Sequence, residues 1–550
     1  MTSALESLHP GLQRRVKELG WPGLSPIQQA AIPIILEGHD CVIQAPTAGG
    51  KTEAVLFPTL TRAAQATGHG VRVLYIAPLR ALLNNLQNRG ERYAGDCSLH
   101  AFKWHGDVSQ KEKIDAIQLP PELLLTTPES VEAILLRKAS WKTFFQGLTS
   151  IIIDEAHNFA AGDRGGHLVS LLERIENGIG SKPQRIALSA TVANIEDFSV
   201  WLAGRGRSPG RVINVPATEK KRDFEVALFA GGDDAEISPA ENYPEYRRII
   251  RLCELLAGKR SIVFVRSRRG AEELAQALVK FKQNGLARQI EVRTHHSAIS
   301  KFFREEAERL IQVASIQGVN GIISTSTLEL GIDIGELDRV VQMDALSSPS
   351  AFLQRVGRTG RREGRPQYFR GLCVEIDDLV LLTAVVSLGS RGISETIPLR
   401  RRCFHLMAHQ LICMALQHNG VDSDLAWSVL SAANSFSGIT RDEFEFLVSH
   451  MIKTEYLRDV DNLLVVAENT EKYFLFAGWR RLFAVFDSAP MYDVFEEKNQ
   501  VGTLDSAFVE SLTTPFLFML AARPWKALSV DHKRRTVKAK RSTDAVAPRW

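Results

Sequence analysis

A loop of small residues near the start of the chain ends in a lysine and a threonine. The run Ala45-Pro46-Thr47-Ala48-Gly49-Gly50-Lys51-Thr52 follows a strand-like segment and precedes a helical pattern. Small residues let backbone N–H groups approach a phosphate, and the N-terminus of the following helix adds partial positive charge. Lys51 would contact the β- and γ-phosphates and Thr52 would bind Mg²⁺. The loop predicts an ATP and Mg²⁺ site, although Ala45 stands where the general pattern has glycine.

Two adjacent carboxylates follow the apolar run Ile151–Ile153. Strands of open α/β sheets bind their ligands at their C-terminal ends, which is where Asp154 and Glu155 would lie. Asp154 would hold Mg²⁺, and Glu155 would orient and deprotonate the water that attacks the γ-phosphate. Considered alone, the pair could be a solvated strand end with incidental acidic residues. The phosphate loop upstream favours the catalytic interpretation.

Three arginines, Arg355, Arg358 and Arg361, recur every three residues in the segment that begins at Gln354. The ordinary interpretation of such a run is a basic, solvated helix face. The functional interpretation is an arginine finger that neutralises charge on the γ-phosphate in the transition state. A guanidinium supplied by a second lobe would make hydrolysis depend on closure of the two lobes.

Short β-branched runs alternate with amphipathic segments from Asp40 to about Val215. The pattern restarts at Ile262, after a polar stretch over Ala230–Glu241 that is predicted to be a linker or a surface loop. This alternation predicts βαβ units and parallel sheets with helices on both faces, arranged as two successive α/β lobes. The predicted strands are Cys41–Gln44, Val71–Ile76, Leu123–Thr126, Ile151–Ile153, Ile186–Leu188, Ile262–Val265, Ile322–Ser324 and Val340–Met343.

The pattern changes after about Pro398. A capping box at Thr440–Glu443 opens a helix, and a turn at Asp459–Asn462 lies between two strand-like runs, so a winged helix is predicted. Short strands dominate from Leu482 onward and predict a small antiparallel sheet or partial barrel. The predicted domains are two α/β lobes over 1–215 and 216–395, a winged helix over 396–475 and a β-rich domain over 476–550.

Composition is that of an ordinary globular protein. The 550 residues are 45% hydrophobic and 24% charged, with a net charge of only +4, which permits nucleic-acid binding without arguing for it. Six scattered cysteines without a Cys-x-x-Cys pair argue against zinc and a disulfide framework and favour the reducing cytoplasm. We find neither a signal-peptide pattern nor an apolar run long enough to span a bilayer, so no membrane partner is predicted.

In this order the segments resemble the motifs of superfamily 2 helicases of the DExH/D type. Leu24–Gln28 is similar to their adenine-reading motif, Asp154–His157 spells the DEAH box, and Gln354–Arg361 is similar to the finger motif. The resemblance implies two tandem RecA-like lobes and a catalytic set of Lys51, Glu155, Arg358 and Arg361. The nucleotide-contacting residues that it implies are Gln28, Ala45, Pro46, Thr47, Ala48, Gly49, Gly50, Lys51, Thr52, Asp154, Glu155, Gly331, Asp333, Arg358 and Arg361.

Further segments resemble the motifs by which this superfamily couples hydrolysis to a nucleic-acid strand. They are Ala77–Leu82, Thr126–Ser130, Ser189–Thr191 and Ser324–Asp333. The coupling residues that the resemblance implies are His157, Ser189, Thr191 and Gln354. The residues expected to contact nucleic acid are Pro78, Arg80, Trp104, Thr127, Pro128 and Thr325.

A narrower resemblance is to the Lhr-like helicases. It is carried by Trp104–Asp107, Arg164–Leu168, Gly331–Asp338, Met407–Leu411, Val501–Asp505 and Trp525–Arg535. It implies a winged helix followed by a β-barrel-like domain, and translocation 3′ to 5′ on single-stranded DNA with unwinding of DNA or RNA:DNA duplexes, as in DNA repair. The sequence departs from the Lhr-like pattern in three places. The box is DEAH, where these proteins usually have a β-branched third residue. The finger motif ends at Arg361 as in the wider superfamily, and the chain appears shortened at Trp550.

Several residues have two interpretations. Trp104, in a predicted loop, would either stack on a base or pack against its own lobe, and the basic cluster from His532 to Arg541 would either contact phosphates or serve solubility. The winged helix would hold DNA or brace the lobes. His295 and His296 are expected in an ordinary loop, and Trp427 and Trp479 are expected in the core.

Three functions follow as hypotheses. The leading one is an ATP-dependent helicase or translocase on single-stranded or tailed duplex nucleic acid, with DNA favoured over RNA. The alternative is an ATP-dependent remodeller subunit of a repair or phage-defence complex that translocates without separating strands. The third is an ATP-gated clamp, against which the intact Glu155 and Arg358 argue, since a clamp need not hydrolyse ATP.

Overall fold

The computed structural model divides the chain into two compact units. Unit 1 is Met1–Ala217 with Glu395–Asp487, and unit 2 is Thr218–Ser394 with Ser488–Trp550. Each unit therefore pairs one α/β lobe with one part of the C-terminal region. The structure describes residues 3–45, 50–137, 140–215, 220–230, 243–283, 285, 290–312, 319–329, 335, 337–360, 364–475, 482–483 and 491–542.

The first lobe is built on a seven-stranded parallel sheet in the order β3-β4-β2-β5-β6-β1-β7. Its central strands are apolar and buried throughout, as expected for a sheet covered by helices on both faces. The strands are Cys41–Gln44 (β1), Val73–Ile76 (β2), Ala101–Trp104 (β3), Leu123–Thr126 (β4), Ser150–Ile153 (β5), Gln184–Ser189 (β6) and Arg211–Asn214 (β7).

Helix starts in this lobe follow local sequence signals. Capping boxes of Ser25 with Gln28 and of Ser109 with Glu112 open two helices, because each pair satisfies backbone N–H groups that the first turn leaves unpaired. The helices are Pro10–Glu18 (α1), Pro26–Leu36 (α2), Lys51–Gln65 (α3), Arg80–Asp96 (α4), Gln110–Gln118 (α5), Pro128–Leu135 (α6), Ser140–Phe145 (α7), His157–Ala160 (α8), Asp163–Ile179 (α9) and Ile195–Ala203 (α10).

The second lobe has a six-stranded parallel sheet in the order β10-β11-β9-β12-β13-β8. Its strands are Arg222–Leu228 (β8), Ser261–Phe264 (β9), Val292–His295 (β10), Gly321–Ser324 (β11), Arg339–Met343 (β12) and Gln367–Cys373 (β13). Its helices are Pro244–Leu256 (α11), Arg268–Gln283 (α12), Lys301–Gln312 (α13), Pro349–Val356 (α14) and Ile376–Ser390 (α15).

The sequence predicts every interior strand of the first sheet, with small shifts at the ends, and three of the four interior strands of the second sheet. It misses the interior strand β13 and the strands at the sheet edges. Strands β3, β7, β8 and β10 all lie at a sheet edge, and the alternation of apolar runs does not predict them. Three of the four are partly exposed along their length, so they lack the continuous apolar run of a strand buried on both faces. The predicted linker lies outside the described residues, apart from Ala230.

The predicted winged helix is present in unit 1. Thr440 and Glu443 form the expected capping box, and Asp461 and Asn462 both have positive φ, the geometry of a tight two-residue hairpin turn. Its three-stranded antiparallel sheet has the order β14-β16-β15. The elements are Phe404–His418 (α16), Val421–Asp422 (β14), Ser423–Leu430 (α17), Arg441–Lys453 (α18), Leu457–Val460 (β15), Leu463–Val466 (β16) and Glu468–Leu475 (α19).

A buried polar network joins the winged helix to the first lobe. Arg174 of α9 donates to both oxygens of Glu132 at 2.8 and 2.9 Å and to Gln417 Oε1 at 2.6 Å. Gln410 Nε2, on α16, donates to Glu132 Oε2 at 2.9 Å. Burial would raise the pKa of Glu132, but Arg174 and the hydrogen bond from His167 hold it well below its ordinary value. The network therefore fixes α16 on the first lobe through a charge that is buried and paired.

The C-terminal region of unit 2 is a five-stranded half-barrel sheet in the order β18-β17-β21-β20-β19. Of the two predicted alternatives, the partial barrel is confirmed. The purely antiparallel sheet is wrong at one pair, because β17 and β21 run parallel and the sheet is mixed. Of the predicted strand that starts at Leu482, residues 484–486 lie outside the described residues. The elements are Met491–Glu496 (β17), Asn499–Asp505 (β18), Ser506–Glu510 (α20), Phe516–Leu520 (β19), Arg523–Asp531 (β20) and Thr536–Arg541 (β21).

A buried carboxylate on α12 fixes this sheet on the second lobe. Glu272 accepts hydrogen bonds from the amides of Ala521 and Ala522 at 2.8 and 2.9 Å, and His296 Nε2 lies 2.9 Å from the same carboxylate. Ala521 and Ala522 form the tight turn between β19 and β20, where both have positive φ. Glu272 satisfies two amides that the turn leaves unpaired, which holds the sheet in one place. His296, expected in a loop, is therefore a buried structural residue.

The predicted domain limits remain predictions. Among the described residues, no helix is both long and apolar enough to cross a membrane. All six cysteines are free and buried.

The Glu132 network generates a test of the winged-helix anchor. Replacing Glu132 with Ala leaves the buried Arg174 uncompensated, which costs about 3–5 kcal/mol. We expect faster amide hydrogen exchange in peptides from α16 and an earlier onset of urea unfolding. The exposed Glu91, replaced with Ala, is the control and should change neither. Unaltered protection of α16 in the Glu132→Ala protein would contradict the anchoring role.

Candidate active site

The phosphate loop lies between β1 and α3, as its sequence context predicts. Pro46, Thr47, Ala48 and Gly49 lie outside the described residues. Gly50 is the N-cap of α3 with φ +78°, and a Cβ there would lie 2.8 Å from Gln28 Nε2. The left-handed backbone conformation therefore favours glycine at this position, and a larger residue would also displace the Gln28 amide group.

Lys51 places a buried ammonium group where the loop meets the sheet. Its Nζ donates to the carbonyl oxygens of Ala45 at 2.9 Å and Ser189 at 3.3 Å. These carbonyls lie just after β1 and at the end of β6, two neighbouring strands of the sheet. Because both acceptors are neutral, the positive charge of Lys51 remains available to a phosphate group.

Asp154 and Glu155 follow β5 and lie at the same edge of the sheet. Asp154 Oδ2 accepts a hydrogen bond from the Tyr75 hydroxyl at 2.7 Å, and Oδ1 accepts one from the Glu155 amide at 2.9 Å. Burial and the charge of Glu155 raise the pKa of Asp154 to about 6, against the opposing effects of Tyr75 and Lys51. A bound divalent cation would favour the ionised carboxylate, so the carboxyl pair fits Mg²⁺.

Glu155 has the backbone and the environment of a functional residue. Its φ is +45°, uncommon for any residue except glycine, and its side chain is only 6% exposed. Its Oε2 atom is buried and has no hydrogen-bond partner among the described residues. A buried carboxylate oxygen without a donor is costly, so the atom is suited to accept a hydrogen bond from a water molecule.

His157 connects Glu155 to the end of β6. Its Nδ1 atom accepts a hydrogen bond from the Ala190 amide at 3.1 Å and lies 3.4 Å from Ser189 Oγ and 3.7 Å from Glu155 Oε2. Burial lowers the pKa of His157, which keeps the ring neutral and Nδ1 able to accept. The His157 ring therefore links Ser189 and Ala190 to the Glu155 carboxylate. Thr191, the third residue of this motif, is half-buried.

Two other predicted residues of the nucleotide site flank the loop. Gln28 is 2% exposed; its Oε1 accepts from the Ser25 amide at 2.8 Å and its Nε2 donates to the Gly50 carbonyl at 3.4 Å. Thr52 is half-buried in the first turn of α3. Gln28 thus braces the phosphate loop, and its contact with adenine stays a prediction.

The arginines of the second lobe are buried rather than solvated, so a basic solvated helix face is excluded for Arg355 and Arg358. Arg355 donates to Glu329 Oε2 at 2.9 Å and lies over the Phe264 ring at 4.4 Å. Arg358 follows α14, is 1% exposed and donates to the Glu329 carbonyl at 2.7 Å. Gln354 is also buried. Gly331, Asp333 and Arg361 lie outside the described residues, and the finger role stays a prediction.

The predicted nucleic-acid contacts differ in exposure. Arg80 is exposed and pairs with Asp107 at 2.7 Å. Pro78, Thr127 and Pro128 are buried at the ends of neighbouring strands, where the Pro78 carbonyl accepts from Arg164 at 3.0 Å. Thr325 is half-buried just after β11.

The stacking role of Trp104 is wrong. Trp104 is the last residue of β3, not part of a loop, and its side chain is 2% exposed. It packs against Phe102 and Phe144, and the Arg137 guanidinium lies 5.5 Å from its ring centre. The physical reason is that the side chain points into the core of its own lobe, so a nucleotide base cannot reach it.

Sequence reasoning misses two buried side chains that shape the site. Tyr75, on β2, donates to Asp154, and Gln44, at the end of β1, accepts from the Val192 amide at 3.0 Å. A polar residue at the end of an apolar strand is the signal that points to Gln44. No local signal points to Tyr75, because its role depends on β2 lying next to β5.

A phosphate loop and an Asp-Glu strand end on one RecA-like lobe, followed by a second such lobe, define a helicase-type ATPase core. The sequence matches the DEAD/DEAH box helicase family over residues 25–198, the helicase conserved C-terminal domain over 246–363 and the winged helix domain of large helicase-related proteins over 389–546. The chain belongs to the Lhr-like branch of the superfamily 2 ATP-dependent helicases.

Individual relatives agree with this assignment. The ATP-dependent helicase Lhr-Core of Saccharolobus solfataricus is 26% identical over 96% of this chain, and that of Methanocaldococcus jannaschii is 26% identical over 99%. The structure of the Mycobacterium smegmatis helicase Lhr bound to ssDNA and AMP-PNP superposes with a TM-score of 0.76 and 26% identity, over 89% of this chain and 64% of that one. The chain spans 62% and 65% of the length of the two Lhr-Core proteins.

The placement of Trp104 generates a test. Replacing Trp104 with Leu keeps an apolar side chain in the core but removes the aromatic ring. The single-strand affinity should stay within about twofold of wild type, because the buried ring contacts no base, whereas loss of a stacked base would cost roughly 1–3 kcal/mol. Replacing Trp104 with Ala should destabilise the first lobe by about 3–5 kcal/mol, because a large buried side chain is lost. Fluorescence anisotropy measures the affinity and urea unfolding measures the stability. A tenfold affinity loss in a folded Trp104→Leu protein would restore the stacking role.

Proposed function

We propose that the chain is a nucleic-acid-stimulated ATPase that translocates 3′ to 5′ along single-stranded DNA and unwinds DNA or RNA:DNA duplexes. The observation that carries the proposal is one sheet edge that holds a buried lysine, the carboxyl pair of Asp154 and Glu155, and a buried carboxylate oxygen that has no donor among the described residues. That set provides phosphate binding and a positioned base, which phosphoryl transfer to water requires. The similar Mycobacterium smegmatis helicase Lhr was solved bound to ssDNA, which supports the choice of strand.

Each residue has a defined task in this proposal. Lys51 would bind the β- and γ-phosphates, and the backbone amides at the N-terminus of α3 would donate to the same phosphates. Thr52 and Asp154 would hold Mg²⁺, which neutralises phosphate charge when bound. Glu155 orients the attacking water and accepts its proton at Oε2. Arg358, together with Arg361, would stabilise the charge on the γ-phosphate.

Coupling to the strand would run through His157. The proposed strand contacts Arg80, Thr127 and Thr325 follow strands or open helices at the carboxyl edges of the two parallel sheets. A strand bound at these edges can shift Ser189 and Ala190, whose contacts with His157 lead to Glu155. Hydrolysis would then be fast only when a strand is bound. A role in DNA repair is part of the same proposal and follows the family resemblance.

Catalysis is tested by two substitutions. Lys51→Ala removes the phosphate-binding charge and Glu155→Gln removes the base, and each should lower nucleic-acid-stimulated kcat by about 100-fold or more. A coupled phosphate-release assay with single-stranded DNA measures this. Glu91→Gln, on the exposed face of α4, is the matched control and should hydrolyse ATP at the wild-type rate. Wild-type rates in all three variants would refute the proposal.

The coupling route makes a separate prediction. His157→Ala keeps Lys51 and Glu155 but breaks the link to Ser189 and Ala190. We expect the rate without nucleic acid to stay within about threefold of wild type while stimulation by a single strand falls at least tenfold. The same phosphate-release assay, run with and without strand, gives both rates. Equal loss of the basal and the stimulated rate would show that His157 serves catalysis itself.

Strand separation is decided by a panel of tailed duplexes. Release of a labelled strand from 3′-tailed but not 5′-tailed DNA:DNA or RNA:DNA, dependent on ATP and at one stated salt concentration, is the expected result. Strong stimulated hydrolysis without strand release would instead favour a translocating remodeller that works within a complex. Hydrolysis of many ATP molecules per protein molecule would exclude the third hypothesis, an ATP-gated nucleic-acid clamp.

A further inference from the structure

The most basic segment of the chain lies on the C-terminal sheet. Residues 523–541 contain eight lysines and arginines but one acidic residue, Asp531, in a chain whose net charge is only +4. The segment comprises β20, β21 and the turn between them. A concentration of charge this local indicates a surface with a purpose beyond overall solubility.

Three lysines of this segment share one face of the sheet. Lys526 lies directly opposite Lys540 in the antiparallel pair of β20 and β21, and Lys538 is two residues from Lys540 on the same strand. The residues that alternate with them, Ala527 and Ala539, are buried in the core on the other side. Adjacent strands lie about 5 Å apart and alternate residues about 7 Å apart, so the three amines form one compact cluster. We call Lys526, Lys538 and Lys540 the lysine face.

The lysine face carries unbalanced charge. None of its three amines forms an ion pair or side-chain hydrogen bond with any of the described residues. Like charges directly opposite each other destabilise a sheet, so the Lys526–Lys540 pair lowers the stability of the folded sheet. By contrast, Arg523, at the start of β20, pairs with Glu306 at 3.0 Å. The sequence thus keeps positive charge on this face at the expense of stability.

Apolar side chains accompany the lysines. Phe495 on β17 is the partner of Lys538, and Leu517 on β19 is the partner of Lys526; both are partly exposed. Leu528, at the irregularity between β20 and β21, is 50% exposed. Sheets that bind single strands combine basic side chains, which contact the phosphates, with aromatic side chains, which contact the bases. The lysine face and its apolar neighbours have this combination.

We propose that the lysine face binds the phosphodiester backbone of a nucleic-acid strand, as a contact additional to the helicase motifs; this rests on the proposed function. The chemistry recognised is a row of backbone phosphates with bases that can contact Phe495. Because Glu272 fixes the sheet on the second lobe through Ala521 and Ala522, the contact moves with that lobe. The strand is therefore held by the same unit that carries Arg358.

The test removes charge without changing the core. The triple variant Lys526→Gln/Lys538→Gln/Lys540→Gln is compared with Lys259→Gln/Lys280→Gln/Lys498→Gln, which removes three exposed lysines from elsewhere in unit 2. Binding of a fluorescent oligothymidylate and of a blunt duplex is followed by anisotropy without nucleotide, over a series of salt concentrations. Hydrogen exchange of β20 and β21 verifies that the sheet is intact in each protein.

We expect the lysine-face variant to bind the single strand at least tenfold more weakly at low salt. The slope of log affinity against log salt should fall by about 2, because each lost phosphate contact on a single strand contributes about 0.7. The control variant should match wild type. Equal slopes in the two variants would overturn the proposal, and a loss confined to the duplex would overturn the assignment to single strands.

This outcome is separable from the proposed catalysis. The lysine-face variant should hydrolyse ATP at the wild-type basal rate, and saturating single strand should restore its stimulated kcat while the strand concentration for half-stimulation rises about tenfold. The Lys51→Ala protein should retain salt-dependent strand binding. If Lys51→Ala hydrolyses normally but the lysine face still governs strand affinity, the proposed active site fails and the binding face stands.

Discussion

The site depends on a buried lysine that donates to carbonyl oxygens. Lys51 Nζ bonds to carbonyls at the ends of two neighbouring parallel strands, and it forms no ion pair with a carboxylate among the described residues. A buried ammonium in that state is costly without an anion, which is what makes it a strong phosphate ligand. The parallel sheet supplies the arrangement, because every strand of such a sheet ends at the same edge. Asp154, Glu155 and Ser189 reach the same place for that reason.

Each unit joins its accessory part to its lobe through one buried carboxylate. Glu132 accepts from Arg174 and Gln410 in unit 1, and Glu272 accepts from the Ala521 and Ala522 amides in unit 2. Such contacts add little net stability compared with an apolar core, but they specify a single docking position. A winged helix and a half-barrel sheet held in this way move with their lobes. The proposed strand contacts therefore divide between two bodies that carry different parts of the ATPase machinery.

The negatively charged Glu155 and the positively charged lysine face are both polar groups whose partner is expected to come from a substrate. Among the described residues, Glu155 Oε2 in the nucleotide site and the amines of the lysine face have no partner, and each of these features costs stability in the isolated chain: the oxygen because it is buried, the amines because like charges face each other. In each place the missing partner has the chemistry of a substrate: a water beside a phosphate, or the phosphates of a strand. Proteins keep such costs where function requires them, which is why unsatisfied groups are informative about sites.

The sequence by itself determined the phosphate loop, the Asp-Glu strand end, the winged helix and the interior strands of both lobes except β13, because each depends on neighbours along the chain. Tertiary structure alone decided three matters. It buried Trp104 in its own lobe, it brought Tyr75 to Asp154, and it made β17 parallel to β21. Each depends on which strands become neighbours in space, and strand order is set by packing of the whole sheet rather than by any local run of residues.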